Sequence, residues 1–219
     1  MQTTETTLAE LASTEPAAAR VFLSHGLDFC CKGRRSLASA CSEKGLDATR
    51  VLAEIAGTAT PQDLTVWSDS PIPDLVRHIV DRYHAALRRD FPALIAMAEK
   101  VEARHADKES VPSGLSMHLR VMAGAAFDHL GKEEAILFPA ILAGHGSSLA
   151  GPIQCMEAEH TDHGENLART REITRDLVPP PEACTTWRAL YLGLSTLERE
   201  LMEHIHLENN VLFPRVLMA

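Results

Sequence analysis

Aromatic rings are scarce in this 219-residue chain: six Phe, two Tyr and two Trp. Cysteine is scarcer still, five in all at positions 30, 31, 41, 155 and 184, an odd number with no Cys-x2-Cys pair. That excludes a disulfide framework and argues against a structural zinc finger; reduced thiols fit better. No stretch approaches the roughly 18 uninterrupted apolar residues of a membrane helix. The opening Met1-Gln-Thr-Thr-Glu-Thr-Thr also lacks the basic-then-apolar order of a secretory signal. A soluble, cytoplasmic protein with no membrane partner is expected. Positive charge is short too. Lys plus Arg number 21 against 30 Asp plus Glu, a net charge of −9, so nothing neutralises phosphates in bulk and no nucleic-acid partner is expected. The abundant residue is histidine: 11 of them, more than all aromatic rings together. That imbalance directs attention to metal ligation.

Composition is otherwise ordinary, 45% apolar and 23% charged, which excludes a disordered or low-complexity chain. The alternating pattern of β-strands is missing, and the fold class is all-α. Residues 1–56 are expected to form a small helical domain anchored by Leu8, Leu11, Val21, Phe22, Leu37, Leu46, Val51 and Ile55, with Gly26, Gly33 and Gly45 at helix ends. Residues 57–72 are rich in turn formers and read as a linker. From 73 to 219 the period is helical, with apolar stripes predicting helices over about 73–106, 113–143, 151–178 and 183–213. Short polar or proline-rich breaks separate them, as in an up-down-up-down four-helix bundle. The stripes include Val76, Val80, His84, Leu87 and Phe91 in the first helix, and His129, Glu133, Ile136 and Ala140 in the second.

One repeat carries the functional reading. His129-Leu-Gly-Lys-Glu133-Glu-Ala-Ile-Leu-Phe-Pro139 and His204-Ile-His-Leu-Glu208-Asn-Asn-Val-Leu-Phe-Pro214 both read His-x3-Glu-x3-Leu-Phe-Pro, 75 residues apart. Five identities at matched offsets imply two related helical hairpins. A third His-x3-Glu, His105 with Glu109, lacks the Leu-Phe-Pro and abuts a helix end, and is taken as a chance match. Nearly the same offset carries His84 onto His160, each on an apolar stripe. In antiparallel neighbours, residues equally far from a turn lie at one height, and by this test His84, His129, Glu133, His160, His204 and Glu208 share a level of the bundle. His and Glu at i and i+4 project from one side of a helix. Two carboxylates on apolar stripes among four imidazoles need positive charge, which a pair of metal ions supplies. Imidazole and carboxylate without thiolate suit iron or manganese.

The bundle with its two His-x3-Glu-x3-Leu-Phe-Pro segments resembles a hemerythrin-like di-iron domain. The leading Gly26-Leu-Asp-Phe-Cys30-Cys31-Lys-Gly33 is similar to the small N-terminal domain of the repair-of-iron-centres family. The resemblance implies two non-haem iron ions with an oxo or hydroxo bridge, held by His84, His129, Glu133, His160, His204 and Glu208. It implies repair of iron–sulfur clusters damaged by nitrosative or oxidative stress, with damaged iron–sulfur proteins as partners and nitric oxide or oxygen as small ligands. Reduction of nitric oxide at the di-iron pair, an enzymatic reading, and a hemerythrin-like oxygen or redox sensor are the alternatives.

Cys30 and Cys31 sit near Lys32, Arg34 and Arg35, a cationic setting expected to favour thiolate and a redox or iron-transfer role. Cys41, Cys155 and Cys184 read as structural. His163 reads as partly buried, with a role beside the ligands as the alternative; His25, His78, His118, His145 and His206 read as ordinary surface or core residues; Glu134 and Glu159 read as solvated. His105 lies about 31 Å from His84 along a straight helix, too far for the same site.

Overall fold

The computed structural model describes residues 2–15, 17–58 and 67–218. The chain divides into two compact units, one of residues 1–77 with 202–219 and one of residues 78–201. The middle of the expected linker, 59–66, lies outside the described residues. No helix among the described residues is long and apolar enough to cross a membrane.

The first unit opens with four short helices whose ends are written in the sequence. Helix α1 (Leu8–Thr14) starts with a reciprocal capping box between Thr7 and Glu10. Helix α2 (Ala18–Ser24) is followed by Gly26 at φ +62°, and α3 (Leu37–Glu43), capped by Ser36, by Gly45 at φ +66°. Asp47 caps α4 (Ala48–Gly57) through the N–H groups of Thr49 and Arg50. Too short to be stable alone, these helices share a core of Leu8, Leu11, Phe22, Phe29, Leu37, Val51 and Ile55. Gly33 ends no helix, contrary to expectation. A Cβ there would lie 2.3 Å from the Phe29 carbonyl oxygen, so glycine is required by a close backbone approach. Trp67 and Ser70 form a turn whose carbonyls accept from the Arg215 guanidinium at 3.1 and 2.6 Å, and α5 (Ile72–His78) follows.

The second unit is an up-down-up-down four-helix bundle. Its helices are α6 (Ala85–Arg104), preceded by a π-helical turn at Ile79–His84; α7 (Leu115–Lys132), continued by a π turn at Glu133–Leu137 and α8 (Phe138–Leu142); α9 (Ala150–Thr174); and α10 (Thr185–His206) as far as Leu201. Buried residues recur at helical spacing: Leu87, Phe91, Leu94 and Ala98 on α6, and Leu115, Leu119, Met122 and Ala126 on α7. Trp187, Leu190, Leu194 and Leu197 do the same on α10. Gly193 lets α10 approach α6 closely, since a Cβ there would meet Leu94 Cδ2 at 2.6 Å. Arg171 of α9 grips Glu198 of α10 through two 2.7 Å hydrogen bonds. His118 Nε2 lies 3.0 Å from the Asn166 carbonyl and 3.1 Å from Thr170 Oγ1, tying α7 to α9.

Candidate metal centre

The repeated motif is a repeated backbone device. At Glu133–Leu137 the N–H of Phe138 donates to the Glu133 carbonyl, five residues back. At Leu207–Leu212 the N–H of Phe213 donates to the Glu208 carbonyl in the same way. These are π turns, one residue wider than an α turn. The proline that follows explains them. Pro139 and Pro214 have no N–H to give the carbonyl four residues back, and in an α-helix their rings would crowd it. Widening the turn just before each proline relieves both faults. The wider turn moves the buried face by one residue. Ile136, expected on the apolar stripe, is 67% exposed, while Leu137 and Phe138 are buried.

In the second unit four of the expected ligands come together. His84 closes the π turn before α6, His129 lies in the last turn of α7, Glu133 opens the next π turn, and His160 lies on α9. All four are buried. His84 Nε2 is 3.4 Å from one oxygen of Glu133 and His129 Nε2 is 3.3 Å from the other. His160 Nε2 is 2.9 Å from His129 Nε2. The ring of His84 stacks on Phe138 at 5.8 Å, and His163, buried rather than half-exposed, meets the His129 ring edge-on.

The outer nitrogens decide the chemistry. His84 Nδ1 donates to Glu134 at 2.7 Å and His129 Nδ1 donates to Glu159 at 2.8 Å. Glu134 and Glu159 are therefore not solvated surface groups; each is part-buried and fixes an imidazole. Partial burial pushes both carboxyls up, but hydrogen bonds from Arg88 and His84, and from Lys132 and His129, bring them below the usual carboxylate range. With the Nδ1 atoms so committed, the Nε2 atoms of His84 and His129 face the Glu133 carboxylate. Imidazole nitrogens on either side of a buried carboxylate are donors that a cation can bind together. The donor set, imidazole nitrogen and carboxylate oxygen in a buried pocket of one unit, fits a divalent or trivalent metal ion.

The remaining pair lies in the first unit. His204, in the last turn of α10, is 3.0 Å through Nε2 from Glu208 Oε1, and both are buried. The same stretch holds the cysteine loop. Asn210 donates to the carbonyls of Phe29 and Cys30 at 3.3 and 3.2 Å, and Asn209 to that of Cys30 at 3.3 Å. His206 lies between them, its ring 5.5 Å from Phe29 and its Nδ1 3.1 Å from Asn210 Nδ2. Burial drives its pKa down to about 4, and it is a buried member of this network.

Cys30 and Cys31 form no disulfide and have sulfurs 3.5 Å apart. Asp28 Oδ1 accepts from Cys30 Sγ at 3.3 Å and from the Cys31 N–H at 2.9 Å. The hydrogen bond with Cys31, then burial, then the Asp28 charge push the Cys30 thiol well above its ordinary value. The expected cationic activation is absent at Cys30, because the charges acting on it are those of Cys31 and then Asp28, and Arg35 is engaged with Glu43. Asp28, Cys30 and Cys31 offer three ligand atoms within 4.8 Å of one another. A soft cation arriving there would displace the protons. Asp28, two residues before Cys30, passed unremarked in the sequence because an acid in a turn is commonly only a cap.

Comparison with known proteins agrees with this geometry. Residues 75–216 match the model of the hemerythrin HHE cation-binding domain. Residues 4–59 match the ScdA_N domain, a domain of unknown function. The chain is 46% identical over 210 residues to the iron–sulfur cluster repair proteins YtfE of Citrobacter koseri and of Escherichia coli O157:H7, covering 96% of this chain and 96% of each relative.

Proposed function

The chain belongs to the hemerythrin HHE cation-binding family, and we propose that it repairs iron–sulfur clusters damaged by nitrosative or oxidative stress, by delivering iron bound by its histidine and glutamate ligands. The observation that carries this reading is the pair of carboxylate-anchored imidazoles, His84 with Glu134 and His129 with Glu159, whose inner nitrogens face Glu133 in a buried pocket. Kinship of 46% over 96% of the chain with proteins named for this repair supports it.

In this proposal His84, His129, Glu133, His160, His204 and Glu208 hold two non-haem irons bridged by oxo or hydroxo. Those irons supply a redox-active, exchangeable store. Glu134 and Glu159 keep the Nδ1 protons of His84 and His129 in place, so the Nε2 atoms stay available as ligands. Asn209 and Asn210 hold the Cys30–Cys31 loop beside its own Asp28 carboxylate, where the two thiols accept iron in transit. Partners are iron–sulfur proteins with damaged clusters, nitric oxide and oxygen are the small ligands, and the cytoplasm is the compartment in which free thiols persist.

The test is transfer. The iron-loaded protein is mixed, without air, with an iron–sulfur protein whose cluster nitric oxide has damaged, and cluster absorption is followed. Recovery well above that given by an equal amount of free ferrous iron is expected, with Cys30→Ala/Cys31→Ala keeping its iron and losing the recovery. Recovery no better than free iron would overturn the proposal.

A further inference from the structure

A second thiol–imidazole arrangement lies in the four-helix unit, away from the residues assigned to metal. Cys184 precedes α10 and occupies its capping position: the Cys184 carbonyl accepts the N–H of Arg188, the first bond of the helix, at 3.0 Å. The backbone N–H groups of Thr186 and Trp187 at the start of α10 favour its thiolate. His105, the residue that ends α6, brings its Nε2 to 3.2 Å from the Cys184 sulfur. The His105 ring is seated 5.1 Å from that of Trp187, which is wholly buried. The two loops are stitched together around the pair: Ser110 Oγ donates to Glu182 at 2.5 Å, and Arg188 donates to the carbonyls of Ala183 and Pro181, both at 3.1 Å. Cys184 is part-exposed, so a small molecule can reach its sulfur.

We propose that Cys184 with His105 is a thiol-modification site whose co-substrate is a low-molecular-weight disulfide. His105 Nε2 takes the Cys184 proton. The thiolate attacks one sulfur of the disulfide, a bond forms between it and Cys184 Sγ, and the original S–S bond breaks. The displaced thiolate takes the proton back from His105. One disulfide is consumed and one mixed disulfide and one thiol are formed, so no further oxidant is needed. This lies beyond the iron-delivery reading and does not depend on it.

Cys155 is an internal control. It is more exposed than Cys184, but its sulfur faces a carboxylate, donating to Glu159 Oε1 at 3.7 Å. At Cys184 the His105 imidazole first, and then the helix N–H groups, bring the thiol from 9.0 down to about 7. Near pH 7 a thiol with that value is about half thiolate, against about one per cent for an ordinary one; lower intrinsic nucleophilicity takes back most of the gain, leaving an advantage of about fivefold to tenfold.

The experiment treats the full-length, metal-loaded protein with excess glutathione disulfide near pH 7, quenches at intervals and maps adducts by peptide mass spectrometry. The Cys184 adduct is expected to form about fivefold to tenfold faster than the Cys155 adduct. His105→Gln is expected to bring Cys184 to the rate of Cys155 while leaving the latter unchanged. If that variant loses helicity, the wild-type ratio decides alone. Cys184 no faster than Cys155 in the wild type, or a lead that survives in a folded His105→Gln protein, would overturn the site.

Discussion

The two Leu-Phe-Pro segments are the same backbone put to different uses. In each, a histidine and a glutamate lie one turn apart, and the phenylalanine N–H reaches back five residues to the glutamate carbonyl ahead of a proline. They part at the next position. Glu134, after Glu133, anchors the Nδ1 of His84 and is itself held by Arg88. Asn209, after Glu208, donates to the carbonyl of Cys30, and Asn210 does the same. One copy supports imidazoles and the other supports a thiol loop. The ligand pair and the wide turn are common to both; the variable flank specialises each for its own unit. A carboxylate is suited to an N–H of imidazole, and an amide nitrogen to a backbone carbonyl, so the divergence follows from what each flank faces.

That contrast can be broken from either side. On the first copy, Glu134→Gln with Glu159→Gln removes the negative charge from both acceptors of the Nδ1 protons. Loss of such supports costs about 10- to 100-fold in metal affinity, and a chelator competition should show iron leaving at that much lower chelator concentration, with helicity unchanged. On the second copy, Gly33→Ala should drive a Cβ into the Phe29 carbonyl beside the asparagines. Unfolding by denaturant should show a loss of about 1–3 kcal/mol, the usual cost of forcing atoms into a packed site. A smaller effect, about 1 kcal/mol, is expected from Asn210→Ala, which removes hydrogen bonds to the Phe29 and Cys30 carbonyls. Its signature is faster alkylation of Cys30 with the iron content intact. If Asn210→Ala emptied the protein of iron, or Glu134→Gln with Glu159→Gln freed the thiols instead, the division of labour between the copies would be wrong.

Much of this was legible in one sequence. The stripes of α6, α7, α9 and α10 and the doubled motif point to an all-α bundle and to the burial of the six residues proposed as ligands, because buried faces repeat every three or four residues whatever the loops do. Three things were not legible, each for a physical reason. The π turns escaped because hydrophobic periodicity assumes constant winding; Ile136, placed on the buried face by that period, is outside, and only the proline pair marked the change. Glu134 and Glu159 escaped because on their own helices they flank the apolar stripe, while what they serve is an imidazole on another helix. The state of Cys30 was misread because its neighbours along the chain are basic, while its neighbours in space are Asp28, Cys31 and a dry core.

The central claim is that both copies hold metal, Glu133 on one and Glu208 on the other. It is tested most directly by counting iron, manganese and zinc per chain in protein purified without air, for the wild type beside Glu133→Ala and Glu208→Ala. Buried carboxylate ligands are not replaceable by water in a pocket built for them. About two irons per chain in the wild type and loss of iron in each variant, with helicity retained, is the expected result. A wild type without stoichiometric iron, or iron unchanged in either variant, would contradict it.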